Sequence, residues 1–515
     1  MICYCALYYT VVKGSILKMI KEIVTRSEIV LYWDICMRKT EDTKYYTYLN
    51  GELIKISNKT HITLRNISGK NAEVEIYTDS AKKELFYKKS FTMPERREII
   101  DVTAAPYNAV GDGKTMNTAA IQKAIDDCRE NGVVYFPEGV YLTGALDLHS
   151  DMELYVCEGA TILGSDDPND YLPKIWSRFE GVEMECFRSL INIGNIDDRD
   201  KIVCENILVC GGGKIYGGGK TLKENVIAVE KERLKDYFAS LSKESLFSVN
   251  ETIIAGRSRP KLINVSCARN VVMDNITFGN GSSWNIHILY SDNVVTCNSS
   301  IYSLGVSNGD GWDPDSSTNC AIFNCDFCTG DDCVAIKSGK NPEGNVIARP
   351  CSNIWVFDCR SEDGHGISIG SEISGGISDV YIWDCNITKS QIGCNIKATK
   401  KRGGYIKNVF VKNSSFASLN IGLVPYNDDG VAAPTAPVFS GIYFENVRLY
   451  GEVLEYREKY TKKTNAITIA GFDDDHRISD VKFNNVTIGN GHSSQRQIFG
   501  LERVENLSIL NMTVK

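Results

Sequence analysis

A pattern of nine residues recurs nine times in the second half of the chain, and it limits the folds open to this sequence. Each copy has a turn residue, alternating apolar positions, a polar corner that usually holds Asn or Asp, and a final apolar pair. The copies begin at Asn270, Asn293, Asn319, Asn353, Asp379, Asn408, Gly441, Asp480 and Asn506. Short strands that recur at intervals of 23 to 39 residues are typical of a solenoid. Asn and Gly corners favour a parallel β-helix, with an antiparallel sandwich as the alternative.

Four polar loops follow successive copies of this pattern. They are Asn308–Asp310, Gly330–Asp332, Asp363–Gly366 and Asn395–Lys397. If each coil returns the backbone to the same lateral position, the loops stack and bring three carboxylates, an imidazole and an ammonium into one column. Hydrolysis of a glycosidic bond needs at least two carboxylates. Asp313 and Asp315, which lie between the first two loops, are expected to be structural neighbours of the site.

In chain order, the four loops resemble the N-T-D, G-D-D, G-H-G and R-I-K motifs of the polygalacturonase family of glycoside hydrolases. The resemblance extends from Gly111 to the last coil. It implies an all-β fold, a right-handed parallel β-helix. It also implies an inverting hydrolase that cleaves α-1,4-galacturonosidic bonds in pectic oligo- or polygalacturonate, with no cofactor and no metal. The long stretch Ser338–Ser352 would wall off one end of the cleft, which favours exo action.

The resemblance also implies a role for each polar side chain of the loops. Asp331 would be the general acid that protonates the leaving oxygen, while Asp310 and Asp332 would hold and deprotonate the attacking water. His365 would tune the protonation and orientation of the carboxylates. Lys397 would pair with a carboxylate of the substrate.

The sequence departs from the family pattern at Asn395, where the family has Arg. An Arg presents a planar fork to a carboxylate, and Asn does not. Arg402 is expected to compensate by reaching into the site. Lys337 and Tyr426 are further candidates for contact with the sugar.

Two domains are predicted. Residues 1–95 contain alternating apolar and polar segments with Asn50–Gly51 at a hairpin position, which indicates a small β-sandwich similar to a fibronectin type III module. Residues 96–515 would form the parallel β-helix catalytic domain. One amphipathic helix, capped by Thr118 and stopped at Gly132, is predicted to plug the open end of the solenoid.

Composition excludes some partners and suggests a compartment. A net charge of -8 argues against a general nucleic-acid binder. No run of 18 apolar residues is present, so no membrane span is expected. The 18 cysteines show no disulfide pattern, and the first residues lack a basic region and a cleavage site. We therefore expect a cytoplasmic protein, with secretion as the alternative; the oligomeric state stays open.

Three other functions are compatible with the sequence. The chain could act on rhamnogalacturonan or another pectic glycan. It could be a pectate-type lyase, in which the Asp loops bind calcium through oxygen ligands. It could also be a non-catalytic, carbohydrate-binding solenoid, although all three motif aspartates are present. An unsaturated product and sensitivity to a chelator would identify a lyase.

Overall fold

The computed structural model describes residues 20–94, 98–242, 250–425, 430–449, 465–489 and 499–515. The chain divides into two compact units, Met1–Arg97 and Glu98–Lys515. Among the described residues, no helix combines the length and the apolar character that crossing a bilayer requires.

The first unit is a small antiparallel β-sandwich, as predicted. Its strands are β1 (Lys21–Val24), β2 (Ile29–Tyr32), β3 (Tyr45–Leu49), β4 (Glu52–Ser57), β5 (His61–Leu64), β6 (Asn71–Tyr77) and β7 (Leu85–Thr92). One sheet has the order β1-β2-β5 and the other β4-β3-β6-β7. Trp33 and Tyr45 pack edge to face at 4.8 Å in the core between them. Asn50 and Gly51 both have positive φ and make the predicted hairpin turn between β3 and β4.

The second unit is a parallel β-helix, so the predicted fold class is confirmed. Six of the nine repeats consist of two short strands joined at a corner, and in the Gly441, Asp480 and Asn506 copies one strand continues through the corner. In the Asn270 copy, for example, Ala268–Asp274 and Thr277–Gly279 flank a corner at Asn275. The strands before and after the corners join into one sheet of 24 strands, and a separate sheet of eleven strands completes each coil.

The strands that form the coils belong to these two sheets. The 24-stranded sheet contains Ile99–Asp101, Asp112–Met116, Val133–Phe136, Gly139–Thr143, Met152–Val156, Ala160–Gly164, Cys204–Cys210, Lys214–Tyr216, Ala268–Asp274, Thr277–Gly279, Asp292–Cys297, Ser300–Tyr302, Ala321–Phe323, Asp326–Cys328, Cys351–Phe357, Arg360–Asp363, Ile377–Trp383, Asn386–Ile387, Tyr405–Lys412, Ser415–Phe416, Val438–Leu449, Ile478–Ile488, Val504–Glu505 and Ser508–Val514. The eleven-stranded sheet, or floor sheet, contains Leu146–Leu148, Ile191–Ile193, Ile263–Ser266, Ile286–Leu289, Trp312–Asp315, Val334–Ile336, Gly366–Ile369, Gly393–Ala398, Ser418–Leu423, Ile467–Ala470 and Phe499–Glu502.

The backbone conformation of the turn residues explains why Asn recurs at the start of the copies. The turn residues of the copies adopt a left-handed backbone conformation, for example Asn293 with φ 55° and Asn353 with φ 54°. Asn tolerates this conformation better than other residues that have a side chain. The amide nitrogen of Asn293 donates to the amide oxygen of Asn270 at 2.8 Å, and Asn353 donates to Asn319 at 2.7 Å. These side chains therefore form ladders that hold successive coils in register.

The predicted plug helix is present, but its ends differ from the prediction. It is α1, Thr118–Asp126, and its apolar face packs into the core at the end of the solenoid. The predicted cap was wrong: Asn117 occupies the N-cap position, and the Thr118 hydroxyl accepts from the Gly144 amide at 2.7 Å. The helix also ends at Asp126, six residues before Gly132, so Gly132 does not stop it.

Several insertions leave the coils. Within the described ranges the other helices are α2 (Gly219–Arg233), α3 (Lys235–Ser240), α4 (Glu251–Ala255) and α5 (Glu343–Ile347). Short 3-10 turns cover Ile35–Met37 in the first unit and Pro168–Tyr171, Gly256–Ser258 and Lys400–Arg402 in the second. An antiparallel hairpin, Ile175–Phe179 with Val182–Cys186, projects between two strands of the floor sheet.

Candidate active site

The outer face of the floor sheet carries polar side chains in two columns. The register pairs Trp312 with Val334, Val334 with Ile367, and Ile367 with Cys394. These apolar residues point into the core, so their neighbours in sequence point outward. One outward column contains Asp313, Ala335, Ser368 and Asn395, and the next contains Asp315, Lys337, Gly370 and Lys397. The floor of the candidate site is built from these positions.

The acidic loops lie directly before these strands and stack as predicted. The Gly311 amide donates to the Asp332 carbonyl at 2.9 Å, which fixes the first loop on the second. The second loop lies so close to the preceding coil that a Cβ at Gly330 would stand 2.1 Å from the Val306 carbonyl oxygen. Glycine is therefore required before the two aspartates, because any side chain would push the coils apart.

Asp331 forms an ion pair with His365. The Nδ1 of His365 lies 2.8 Å from Oδ1 of Asp331, and both side chains are partly exposed. Burial raises the pKa of Asp331, but the hydrogen bond and the charge of His365 outweigh it and lower the pKa to about 2. Burial lowers the pKa of His365, and Asp331 more than offsets this, so the pKa is raised. The pair therefore holds one proton, which lies on the imidazole when no substrate is bound.

Asp332 is held by two side chains from the following coils. Its Oδ1 accepts from the Ser368 hydroxyl at 2.7 Å, and its Oδ2 lies 3.3 Å from Nζ of Lys397. The side chain is buried. Lys397, predicted to pair with a substrate carboxylate, thus already contacts a carboxylate of the site.

Asp310 is held by Lys337. Nζ of Lys337 lies 3.0 Å from Oδ2 of Asp310, while Oδ1 of Asp310 is buried and has no hydrogen-bond partner within the described part of the chain. Burial raises the pKa of Asp310, and with the charges of Asp331 and Asp332 outweighs Lys337, to give a pKa of about 7. Asp310 therefore takes up a proton much more readily than an exposed aspartate.

Asp313 and Asp315 differ in their partners. Asp315 accepts from Nη1 of Arg178 at 2.8 Å and lies 3.5 Å from Nε2 of His287. This buried ion pair ties the hairpin to the floor sheet. Asp313 lies 3.3 Å from Nζ of Lys337, the lysine that also holds Asp310.

The structure describes two of the three remaining predicted residues, Arg402 and Asn395. Arg402 is buried, and its Nη1 donates to the amide oxygen of Asn341. Asn395 is buried on the floor, and its amide oxygen has no hydrogen-bond partner among the described residues. Tyr426 lies outside the described residues.

Two residues that support the site were not found from the sequence. Ser368 was detectable in principle, because it occupies an outward position three residues after His365 on a floor strand. Arg259 gave no signal. Its guanidinium donates to the Ser307 carbonyl at 3.0 Å and to the Asn308 amide oxygen at 2.8 Å, from an insertion 49 residues earlier in the chain.

Three ligand atoms of the site also lie close enough to bind one cation. An atom from each of Asp331, Asp332 and His365 falls within 4.8 Å of the others. Carboxylate oxygens suit calcium or magnesium, but here Lys397 and the imidazole already face these carboxylates. The expectation that the site holds no metal stays a prediction.

The segment that follows Lys337 packs against the hairpin and forms a wall beside the site. The wall segment, residues 338–349, begins next to Lys337, and the hairpin lies beside it. The Lys340 amide donates to the Gly181 carbonyl at 2.9 Å, and a carboxylate oxygen of Glu343 accepts from the Glu183 amide at 2.8 Å. The wall therefore stands at the carboxyl ends of the floor strands that carry Asp315 and Lys337.

Comparison with known proteins identifies the family to which this chain belongs. The family model described as "Glycosyl hydrolases family 28" matches residues 204–507, and a second, "Rhamnogalacturonase A/epimerase, pectate lyase-like", matches residues 101–155. The first match covers more than half of the chain, so the chain belongs to glycosyl hydrolase family 28. An exo-poly-α-D-galacturonosidase of Dickeya chrysanthemi is 29% identical over 443 residues, which cover 76% of this chain and 72% of the relative.

Solved structures show the same fold. The family 28 exopolygalacturonase of Yersinia enterocolitica aligns with a TM-score of 0.79 at 21% identity and covers 96% of each chain. A hyperthermoactive exopolygalacturonase from Thermotoga maritima aligns with a TM-score of 0.65 at 26% identity, covering 82% of this chain and 92% of its own.

Proposed function

We propose that the protein hydrolyses α-1,4-galacturonosidic bonds in pectic oligo- or polygalacturonate and removes units from the chain end. The observation that carries the exo mode is the wall, in which the Lys340 amide bonds the Gly181 carbonyl at 2.9 Å. A cleft closed on one side admits the end of a glycan but not its middle. The galacturonosidase from Dickeya chrysanthemi and the exopolygalacturonase from Thermotoga maritima support the same substrate and mode.

The proton for the leaving oxygen comes from the Asp331–His365 pair. In the free enzyme this proton lies on the imidazole, 2.8 Å from Asp331. A bound substrate displaces water and brings its own carboxylate, and both changes raise the pKa of Asp331. Asp331 then takes the proton through the hydrogen bond and passes it to the glycosidic oxygen, while the imidazole keeps the carboxyl oriented.

Asp310 and Asp332 act on the other face of the sugar. They hold one water and remove its proton as the water attacks the anomeric carbon, which inverts the configuration. The free, buried Oδ1 of Asp310 supports this role, because it is an acceptor that no protein group in the described structure fills. Inverting hydrolases usually separate their acid and base carboxyls by about 6.5–9.5 Å, whereas a carboxylate oxygen of Asp331 lies within 4.8 Å of one of Asp332. The inverting assignment therefore rests on the family resemblance and not on this spacing.

The bound sugar is recognised through its carboxylate. Lys397 is the proposed partner, since its ammonium lies on the floor beside Asp332, 3.3 Å away. Asn395 lies two residues before Lys397 on the same floor strand, in the neighbouring outward column, and contributes an amide in place of the family's guanidinium. Arg402, which bonds Asn341 of the wall segment, is proposed to act from the closed end.

Product sizing on polygalacturonate tests this proposal. We expect free galacturonic acid, or one fixed small product, from the first minutes, with no ladder of intermediate sizes. A ladder would overturn the exo mode, and an ultraviolet-absorbing unsaturated product that disappears with a chelator would identify a lyase. No cleavage of galacturonate but cleavage of rhamnogalacturonan oligosaccharides would reassign the substrate.

We also propose a cytoplasmic location. The support is that the cysteines in the described part of the chain are free thiols, most of them buried in the solenoid. Fractionation of the native host cells tests this location, and recovery from the culture medium would favour secretion.

A further inference from the structure

We propose that Lys337 and Asp313 form a buried positioning pair that fixes Asp310, so that one oxygen of Asp310 is held free for the attacking water. This inference rests on the proposed function, in which Asp310 serves as a base. It assigns Lys337 to the carboxylates rather than to the sugar, and it gives Asp313 a part in the reaction.

The surroundings of Lys337 leave no room for a substrate carboxylate. Its Nζ lies 3.0 Å from Oδ2 of Asp310, 3.3 Å from Oδ1 of Asp313 and 4.3 Å from the ring centroid of Trp284. The side chain is 6% exposed. A sugar carboxylate could reach this ammonium only by displacing Asp310, so the lysine holds the base instead of the substrate.

The contact selects one oxygen of Asp310. Because Lys337 takes Oδ2, the carboxylate plane is fixed and Oδ1 is left without a partner in the described structure. An unfilled, buried acceptor in a polar pocket is where a bound water belongs. Lys337 therefore determines where the attacking water would be held.

Asp313 balances the charge of Lys337. One ammonium faces two buried carboxyl groups, so this group of three is neutral when one carboxyl holds a proton. The other charged groups that face it are Arg259, Lys261, His287, Asp331, Asp332 and Glu372. Removal of Lys337 should favour the protonated form of Asp310, and removal of Asp313 should favour its ionised form, because Lys337 then serves Asp310 alone.

The test compares K337M and D313N with the wild type on trigalacturonate, each over a full pH profile. We expect K337M to lower kcat by roughly 10²-fold or more, the scale of general-base catalysis, with KM changed less than threefold. The acidic limb of kcat/KM should move to higher pH in K337M and to lower pH in D313N. K407M, at an exposed lysine of the strand Tyr405–Lys412, is the matched control and should behave as wild type.

Two results would overturn the inference. One is a raised KM with normal kcat in K337M, which would make Lys337 a substrate ligand. The other is a shift of the acidic limb in the same direction, or no shift, in both variants. If K337M does not fold, the nearly isosteric D313N decides by the direction of its shift.

A measurement without substrate separates this inference from the proposed function. At pH 4 Asp310, with a pKa of about 7, is protonated and no longer gives Lys337 a counter-charge, whereas at pH 8 Asp310 is ionised and its ion pair with Lys337 is complete. The difference in Tm between the wild type and K337M should therefore grow as the pH rises from 4 to 8. If it grows while the wild type leaves galacturonates intact, the pairing of Lys337 with Asp310 stands, and the proposed function fails together with the role of Asp310 in holding the attacking water. A constant difference contradicts the inference.

Discussion

Asp331 and Asp332 are adjacent in sequence but differ in exposure and in the side chains that they contact. Asp331 is partly exposed and paired with His365, while Asp332 is buried between Ser368 and Lys397. The sequence predicts that His365 orients the carboxylates, but it does not show which carboxylate His365 pairs with, nor that Ser368 and Lys397 hold the other. Residues on other coils determine which carboxylate exchanges a proton and which stays fixed.

Replacing Asp331 by Asn should remove the acid without disturbing the fold. We expect kcat to fall by roughly 10²–10⁴-fold, the usual contribution of a general acid, because the amide cannot deliver a proton to the leaving oxygen. The Tm should change little, since the side chain is partly exposed. D475N, at an exposed aspartate, is the control. Near-normal turnover in D331N would remove Asp331 from the acid role.

The pH dependence of kcat/KM should report the ionisation of both the base, Asp310, and the Asp331–His365 pair. Asp310 must be ionised to act as a base, so kcat/KM should rise as the pH passes through about 7. It should fall again above the raised pKa of His365, where the Asp331–His365 pair loses its proton.

In H365Q the imidazole no longer stabilises the Asp331 carboxylate, so Asp331 itself must carry the proton. We expect the basic limb of kcat/KM to move to lower pH and kcat to fall. A basic limb that stays in place in H365Q would show that this pair does not supply the proton.

Among the elements, the turns that begin each copy could be found from the sequence, and the floor strands could not. Asn353 and most of its equivalents are Asn or Asp because the left-handed turn at the start of each copy favours these residues. Most floor strands, such as Val334–Ile336, have three or four residues, too few for an alternating pattern to stand out. The four loops were predicted correctly as a stack, but their supports, Ser368 and Arg259, come from positions that no motif marks.

The asparagine ladder predicts that replacing Asn353 by Gly or by Ala lowers the stability of the protein by different amounts. Asn353 donates to Asn319 and accepts from the Trp355 indole at 2.9 Å, with φ 54°. N353A loses both hydrogen bonds, about 1 kcal/mol each, and places Ala in a left-handed conformation at a further cost of about 1–2 kcal/mol. N353G loses only the hydrogen bonds. Thermal unfolding should therefore rank the wild type above N353G and N353G above N353A; equal Tm values for the two variants would contradict the role of φ.

Displacing the wall segment should change the size of the products. A Cβ at Gly181 would stand 2.6 Å from Cβ of Lys340 and 2.9 Å from its backbone nitrogen, at a φ of 76°. G181A should force the hairpin from the wall segment, open the closed end and add oligosaccharides to the monomer product. G51A, at a left-handed glycine of the first unit with nothing within 4 Å, controls for backbone strain. An unchanged product pattern in G181A, with the wall shown to be displaced, would separate the wall from exo action.

At the scale of the whole molecule, the two units have separate cores. The core of the first unit gathers around Trp33 and Tyr45, and its buried residues are distinct from those of the long core of the second unit. The described residues of the candidate site all lie between Glu98 and Lys515. The plug helix α1 also belongs to the second unit, so the end of the solenoid stays covered when the first unit is absent.

Residues 98–515 expressed alone should therefore fold and retain kcat/KM on trigalacturonate within about threefold of the full chain, a difference of less than about 1 kcal/mol. Calorimetry of the full chain should show a transition that the shortened chain lacks, because the first unit has a core of its own. Circular dichroism of the shortened chain verifies that the β-helix is intact. If it is intact but KM on long polygalacturonate rises while KM on trigalacturonate does not, the first unit binds distant parts of the glycan. Loss of activity on both substrates by a folded β-helix would instead mean that the first unit contributes to the site itself.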